Sequence, residues 1–125
     1  MQSKNKIPRV LVIEPNGLHM KFVMEESQLR ADRFELIWVQ TIEEAKEVFA
    51  RDSKGFEVIV VDTSPFANNG LALELLSEIK NSGFSGRLIC SGKYGSLKRR
   101  AFLTKLGCQL FCTKMEILPT ILASI

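Results

Sequence analysis

Four polar side chains stand where short apolar runs end: Glu14 closing Arg9 to Glu14, Asp62 after Phe56 to Val61, Ser91 closing Arg87 to Ser91, and Lys114 after Leu110 to Thr113. A carboxylate at the end of a buried run is unfavourable unless it is paired or opens on a cleft. Asp62 is a candidate nucleophile toward a phosphoryl group, giving an aspartyl phosphate. Such chemistry needs positive charge against crowded anions, a fixed ammonium for the incoming oxygens, and in-line access. Lys114 offers the ammonium, Ser91 a hydroxyl donor, and Gly92 leaves room beside it. Structural roles compete at each position. Glu14 can pair with Lys114 in place of a metal, Asn16 can cap a helix, and Phe111 can be ordinary core. His19 is the only histidine, so a histidine-built zinc site is excluded, and no nucleophile motif accompanies it.

The elements that must position these residues alternate along the chain. Arg9 to Glu14 (RVLVIE) is a β-branched run of the kind buried on both sheet faces. A helix follows over Leu18 to Arg30, with Leu18, Phe22 and Leu29 expected toward the core. Phe34 to Gln40 is a second strand, and Thr41 with Glu44 forms a capping box for a helix whose inner side is Ile42, Ala45, Val48 and Phe49. The third strand, Phe56 to Val61, leads to a helix over Leu71 to Lys80 with Ala72, Leu75, Leu76 and Ile79 on one face. Arg87 to Ser91 is a strand, Ser96 to Leu106 a helix ended by Gly107, Leu110 to Thr113 a strand, and Glu116 to Ile125 a last helix that admits Pro119 only in its first turn. Each parallel connection needs a crossover, so this alternation predicts a flavodoxin-like, doubly wound (βα)5 sandwich with a five-stranded parallel sheet of order 2-1-3-4-5. Sites in such sheets lie beyond the carboxyl ends of the strands. Glu14, Asp62, Ser91 and Lys114 are therefore expected to converge. Trp38, on the edge strand, is expected to be a poor reporter of that site.

With 125 residues, 46% of them hydrophobic and 25% charged, the chain is expected to form a single domain over 1–125. Its longest purely apolar runs, Val10 to Ile13 and Val58 to Val61, fall far short of the ~20 residues of a membrane span. Glu14 interrupts the first too early for a signal peptide, so a cytoplasmic location is expected. Cys90, Cys108 and Cys112 show no paired spacing; Cys108 and Cys112 are read within one strand, about 13 Å apart, and as small core residues rather than a disulfide or metal pair. The net charge of +3 hides a division. Residues 1–79 carry 9 basic and 13 acidic side chains, whereas residues 80–115 carry eight basic and no acidic ones. Lys98, Arg99, Arg100 and Lys105 in that block form a candidate surface for an acidic protein partner, with nucleic acid less favoured and a merely solvated face the competing account.

Taken in order, these residues resemble the receiver domains of two-component response regulators over essentially the whole chain. I-E-P-N-G-L-H-M-K is similar to the family's acidic turn. V-V-D-T-S-P-F-A-N-N-G resembles the phosphoacceptor loop, with Asp62 at the acceptor and Gly70 at the loop glycine. Ser91 and Gly92 match the Ser/Thr-Ala pair, and G-C-Q-L-F-C-T-K-M matches the signature that places Phe111 at the aromatic switch position and Lys114 at the lysine. Dinucleotide and flavin binding fit poorly, because the first turn, E-P-N-G, has one glycine and no phosphate cradle.

The resemblance implies a signalling phosphoacceptor rather than an enzyme, phosphorylated on Asp62 by a histidine kinase or phosphotransfer protein, with Ser91 and Phe111 as switch residues. It also implies a magnesium site, held here by Glu14, Asp62 and the Ser64 backbone carbonyl. That site is expected to be weak, because Pro15 replaces the second acidic residue. Pro65 falls one place early, and Met115 replaces the proline after the lysine. A homodimer is a further implied partner. The alternative function is a degenerate receiver acting as a phosphorylation-independent interaction module.

Overall fold

The computed structural model describes residues 7–52, 55–64, 71–92 and 96–125. Pro65, Gly70 and Lys93 lie outside the described residues. Five strands, β1 (Arg9–Ile13), β2 (Glu35–Val39), β3 (Val58–Asp62), β4 (Arg87–Ser91) and β5 (Leu110–Cys112), form one parallel sheet of order β2-β1-β3-β4-β5. The helices are α1 (Gly17–Gln28), α2 (Ile42–Arg51), α3 (Leu71–Asn81), α4 (Leu97–Lys105) and α5 (Ile117–Ser124). This is the expected doubly wound arrangement. The apolar runs become central strands because helices cover both faces and no face of β1 or β3 needs to meet water.

Alternation along the strands divides the core in two. Leu11, Ile13, Ile59 and Val61 pack under α2, α3 and Leu103 of α4. Val10, Val12, Val58 and Val60 pack under Met20 and Val23 of α1 and Ile117 and Ile121 of α5. The α3 face is as expected: Ala72, Leu75, Leu76 and Ile79 are buried. In α2, Ile42, Ala45 and Phe49 are buried, and Val48 is half-buried against the same cluster. The Thr41–Glu44 capping box forms, with the Glu44 amide donating to Thr41 Oγ1 at 3.1 Å and the Thr41 amide to Glu44 Oε1 at 3.2 Å. Pro119 occupies the first turn of α5, where its missing N–H leaves no bond unmade.

Helix α1 departs from expectation. Leu18, Phe22 and Leu29 are 77%, 68% and 77% exposed, and the inward residues are Met20, Val23 and Ser27. Its apolar residues lie around most of its circumference, so the 3.6-residue period alone cannot set the rotation of the helix. Tertiary packing sets it instead: Gly17 lies against Gln40 and the Trp38 ring, and Met20 and Val23 fill the space over Val10 and Val12.

Cys108 and Cys112 are buried in the core and do not pair with each other, as expected, but the placement and pairing of Cys108 differ from expectation. Cys108 lies before β5, not in it, and it forms a disulfide with Cys90 on β4, with 6.1 Å between the Cα atoms. The register Cys90↔Phe111 brings the segment leading into β5 alongside β4, a proximity that spacing along the chain does not reveal. Cys112 is free and buried, and burial pushes its thiol pKa up.

Candidate functional site

Asp62 is the last residue of β3 and pairs in register with Ser91, the last residue of β4. Parallel pairing thus delivers both side chains to one edge of the sheet. Glu14 follows β1, where its amide donates to the Val39 carbonyl at 3.1 Å. Lys114 comes two residues after β5, in a short 3-10 turn over Lys114–Glu116, where the Thr113 amide donates to Glu116 Oε1 at 2.9 Å and the Glu116 amide to the Thr113 carbonyl at 3.0 Å.

The four residues meet. Lys114 Nζ donates to Glu14 Oε2 at 2.9 Å and lies 3.5 Å from Asp62 Oδ2. Glu14 and Asp62 are both fully buried, while Lys114 is partly open. Burial lowers the Lys114 pKa, but the hydrogen bond to Glu14 and the charges of Asp62 and Glu14 outweigh it and hold the ammonium above the usual lysine value. Glu14 Oε2 also accepts from the Asn16 amide at 2.9 Å, and Asp62 Oδ1 accepts from the Ser64 amide at 3.0 Å. Glu14 Oε1 and Asp62 Oδ2 have no hydrogen-bond partner among the described residues.

Ser91 is buried, and among the described residues its hydroxyl makes only a long contact of 3.5 Å to the Val61 carbonyl. Gly92 follows with φ +95°, and a Cβ there would meet Asp62 Oδ1 at 2.8 Å and the Ser64 hydroxyl. The acceptor loop therefore approaches β4 more closely than any side chain permits. Glycine rather than alanine at this position has a local cause.

Buried carboxylate oxygens without a hydrogen-bond partner, Glu14 Oε1 and Asp62 Oδ2, suit a hard divalent cation. The side chains of Glu14 and Asp62 can hold one, with the Ser64 carbonyl as the candidate third ligand. Pro15 is exposed and brings no side-chain oxygen, and among the described residues no three His, Cys, Asp or Glu side chains converge. Asn16 instead caps α1, its Oδ1 accepting from the His19 amide at 3.1 Å.

Three neighbours of the site were not legible in the sequence. Trp38 Nε1 donates to the Glu14 carbonyl at 2.9 Å, so the indole touches the site from the edge strand. Thr63 is buried, and its amide donates to the Ser91 carbonyl at 3.0 Å. Arg99, expected on the outer basic face, is half-buried and donates through Nη2 to the Thr63 carbonyl at 3.1 Å. Its neighbours remain outside: Lys98 and Lys105 are exposed, and Arg100 stacks over the Phe111 ring at 4.7 Å. Phe111 is half-buried and packs against the core under α2 and α3.

This geometry can be set beside known structures. The fold is that of response-regulator receiver domains. A receiver domain from Methanospirillum hungatei superposes with a TM-score of 0.70 at 17% identity, covering 94% of this chain and 93% of that one. A response regulator from Burkholderia pseudomallei, with a phosphorylated aspartic acid, a calcium ion and citrate, gives 0.75 at 20% identity over 94% of this chain and 65% of that one. The receiver domain of a Saccharomyces cerevisiae response regulator, in complex with a histidine phosphotransfer protein, gives 0.62 at 16% identity over 86% and 79%. No family model matches the sequence, and no curated protein matches it.

Proposed function

We propose that residues 1–125 are one receiver domain of a two-component system that accepts a phosphoryl group on Asp62 from a histidine kinase or histidine phosphotransfer protein. The observation that carries this reading is the buried Asp62 carboxylate, with Oδ2 unbonded and Lys114 Nζ 3.5 Å away. An Asp62 oxygen attacks phosphorus in line, and the bond from phosphorus to the donor's imidazole nitrogen breaks. The imidazole leaves with the bonding pair. Lys114 holds one phosphoryl oxygen, and the weakly engaged Ser91 hydroxyl turns from Val61 to donate to another. Phe111, under Arg100, is the element through which that turn reaches the outer face. Glu14, Asp62 and the Ser64 carbonyl are the residues that would hold magnesium, which would supply positive charge to offset that of the carboxylates and the phosphoryl oxygens.

The chain's role is signalling, without turnover of an external substrate. Leu18, Phe22 and Met115 stand exposed around the cleft that opens on Lys114, a surface suited to a phosphodonor protein that must bring its histidine to Asp62. Lys98, Arg100 and Lys105 suit an acidic downstream protein or a second copy of the chain better than nucleic acid. No helix among the described residues is long and apolar enough to cross a membrane, which accords with a cytoplasmic setting.

One observation favours a second reading, an interaction module independent of phosphorylation. The 2.9 Å Lys114–Glu14 bond already offsets negative charge without a metal, and Pro15 contributes no ligand. Acetyl phosphate with magnesium chloride separates the two. The phosphoacceptor reading expects labelling of the native chain and none of Asp62→Asn, measured by intact mass. Absence of labelling in both supports the second reading, and equal labelling moves the acceptor elsewhere.

A further inference from the structure

Of the three consecutive basic residues Lys98, Arg99 and Arg100, Arg99 reaches the segment that follows Asp62. The Ser96 hydroxyl caps α4 by accepting from the Arg99 amide at 3.2 Å, which fixes Arg99 in the first turn. From there Nη2 reaches the carbonyl of Thr63, the residue directly after Asp62. Arg99 Nε is buried and has no hydrogen-bond partner among the described residues. Among the described residues the guanidinium is therefore held by a neutral carbonyl one residue along the chain from the acceptor, with its Nε left as spare donor capacity. Thr63 itself is strapped to β4 through the Ser91 carbonyl, so the anchor is rigid and the long arginine side chain is the movable part.

The charge balance gives this arrangement a use. Lys114 is already engaged with Glu14 at 2.9 Å, and phosphorylation replaces the single charge of the Asp62 carboxylate with a phosphoryl group that carries ~1.5–2 negative charges at neutral pH on its outer oxygens. One shared ammonium cannot satisfy both. A guanidinium prefers an anionic phosphoryl oxygen to a neutral carbonyl, and its planar fork can hold two oxygens at once.

We propose that Arg99 is the positioning residue that reads the phosphoryl group: it rests on the Thr63 carbonyl and transfers to a phosphoryl oxygen when Asp62 is phosphorylated, carrying the first turn of α4 with it. This rests on the phosphoacceptor reading. No bond to phosphorus and no proton transfer involves Arg99; one hydrogen bond is exchanged for stronger ones, and the helix follows the side chain. Residues 96 to 99 thereby link the acceptor to the face that bears Lys98 and Arg100.

The test is nuclear magnetic resonance of the native chain, Arg99→Gln and Arg99→Lys, before and after addition of acetyl phosphate and magnesium chloride, with intact mass recording the extent of labelling. In the native chain the Arg99 Nε–H resonance should shift on phosphorylation, together with the α4 first-turn amides. Arg99→Gln should still be labelled but lose the α4 shifts, and Arg99→Lys should recover part of them. A merely structural role would not produce that rescue. If Arg99→Gln does not fold, Arg99→Lys carries the test through a diminished α4 response. A labelled variant with α4 shifts equal to those of the native chain overturns the role of Arg99 alone. A native chain that takes no label overturns the phosphoacceptor reading and this inference together.

Discussion

The two flanks of the acceptor site differ in kind. On the α1 side the rim is apolar, with Leu18, Phe22 and Met115 at 77%, 68% and 81% exposed. On the α4 side it is cationic, with Arg99 bonded to the acceptor loop, Arg100 over Phe111, and Lys98 in solvent. Apolar surface binds through burial and is nearly indifferent to salt, whereas exposed charge steers encounter and is screened over ~8 Å at physiological ionic strength. Under the proposed phosphoacceptor function, the site would be approached from one side by shape and read out on the other by charge.

The sharpest way to break that contrast is at α1. Phe22→Glu with Leu18→Ser should slow phosphotransfer from a histidine phosphotransfer protein by about a hundredfold or more, since two apolar side chains each lose ~1.5–3 kcal/mol of burial at the interface. Labelling by acetyl phosphate should be unchanged, because Asp62 and Lys114 are untouched. Equal losses with both donors would place the damage in the site and not in docking.

Next in size is Pro15→Asp, which adds a hard anionic oxygen between β1 and α1. Magnesium affinity should rise about tenfold in calorimetric titration. Trp38 fluorescence should follow the same curve, because its indole donates to the Glu14 carbonyl. Unchanged affinity would show that residue 15 points away from Glu14 and Asp62.

On the cationic flank, Lys98→Glu with Arg100→Glu should lower the association rate with an acidic partner by about threefold and weaken its salt dependence. Folding stability should fall by ~0.5–1 kcal/mol at most, the worth of an exposed cation–π contact on Phe111. Binding indifferent to both salt and reversal would transfer recognition to the apolar flank.

The smallest expected effect concerns Lys114, which lies between the flanks. Its folded pKa is raised above the unfolded value, so its contribution to stability is fully present below pH ~10.4 and is lost as pH rises through the folded pKa. Urea midpoints taken at about pH 9 and about pH 11 should fall further in the native chain than in Lys114→Met. Parallel declines would mean that the ion pair to Glu14 contributes no net stability.

What the sequence determined by itself is local chemistry with one unambiguous solution. The apolar runs ending at Ile13, Val61 and Ser91 specify buried parallel strands, and a parallel sheet necessarily gathers Glu14, Asp62, Ser91 and Lys114 at its carboxyl edge. The Thr41–Glu44 box and the single apolar stripe of α3 likewise admit one reading, because capping and a narrow stripe are settled within a few residues. Only the tertiary structure decided the rest. Helix α1 is apolar on several sides, so its rotation follows from what it packs on rather than from its period. Cys90 and Cys108 meet through the β4–β5 register, and Trp38 and Arg99 reach the site from elements that sequence order places on its outskirts. Such contacts depend on the relative placement of whole elements and on long side chains crossing between them, and no pattern within a single element encodes that.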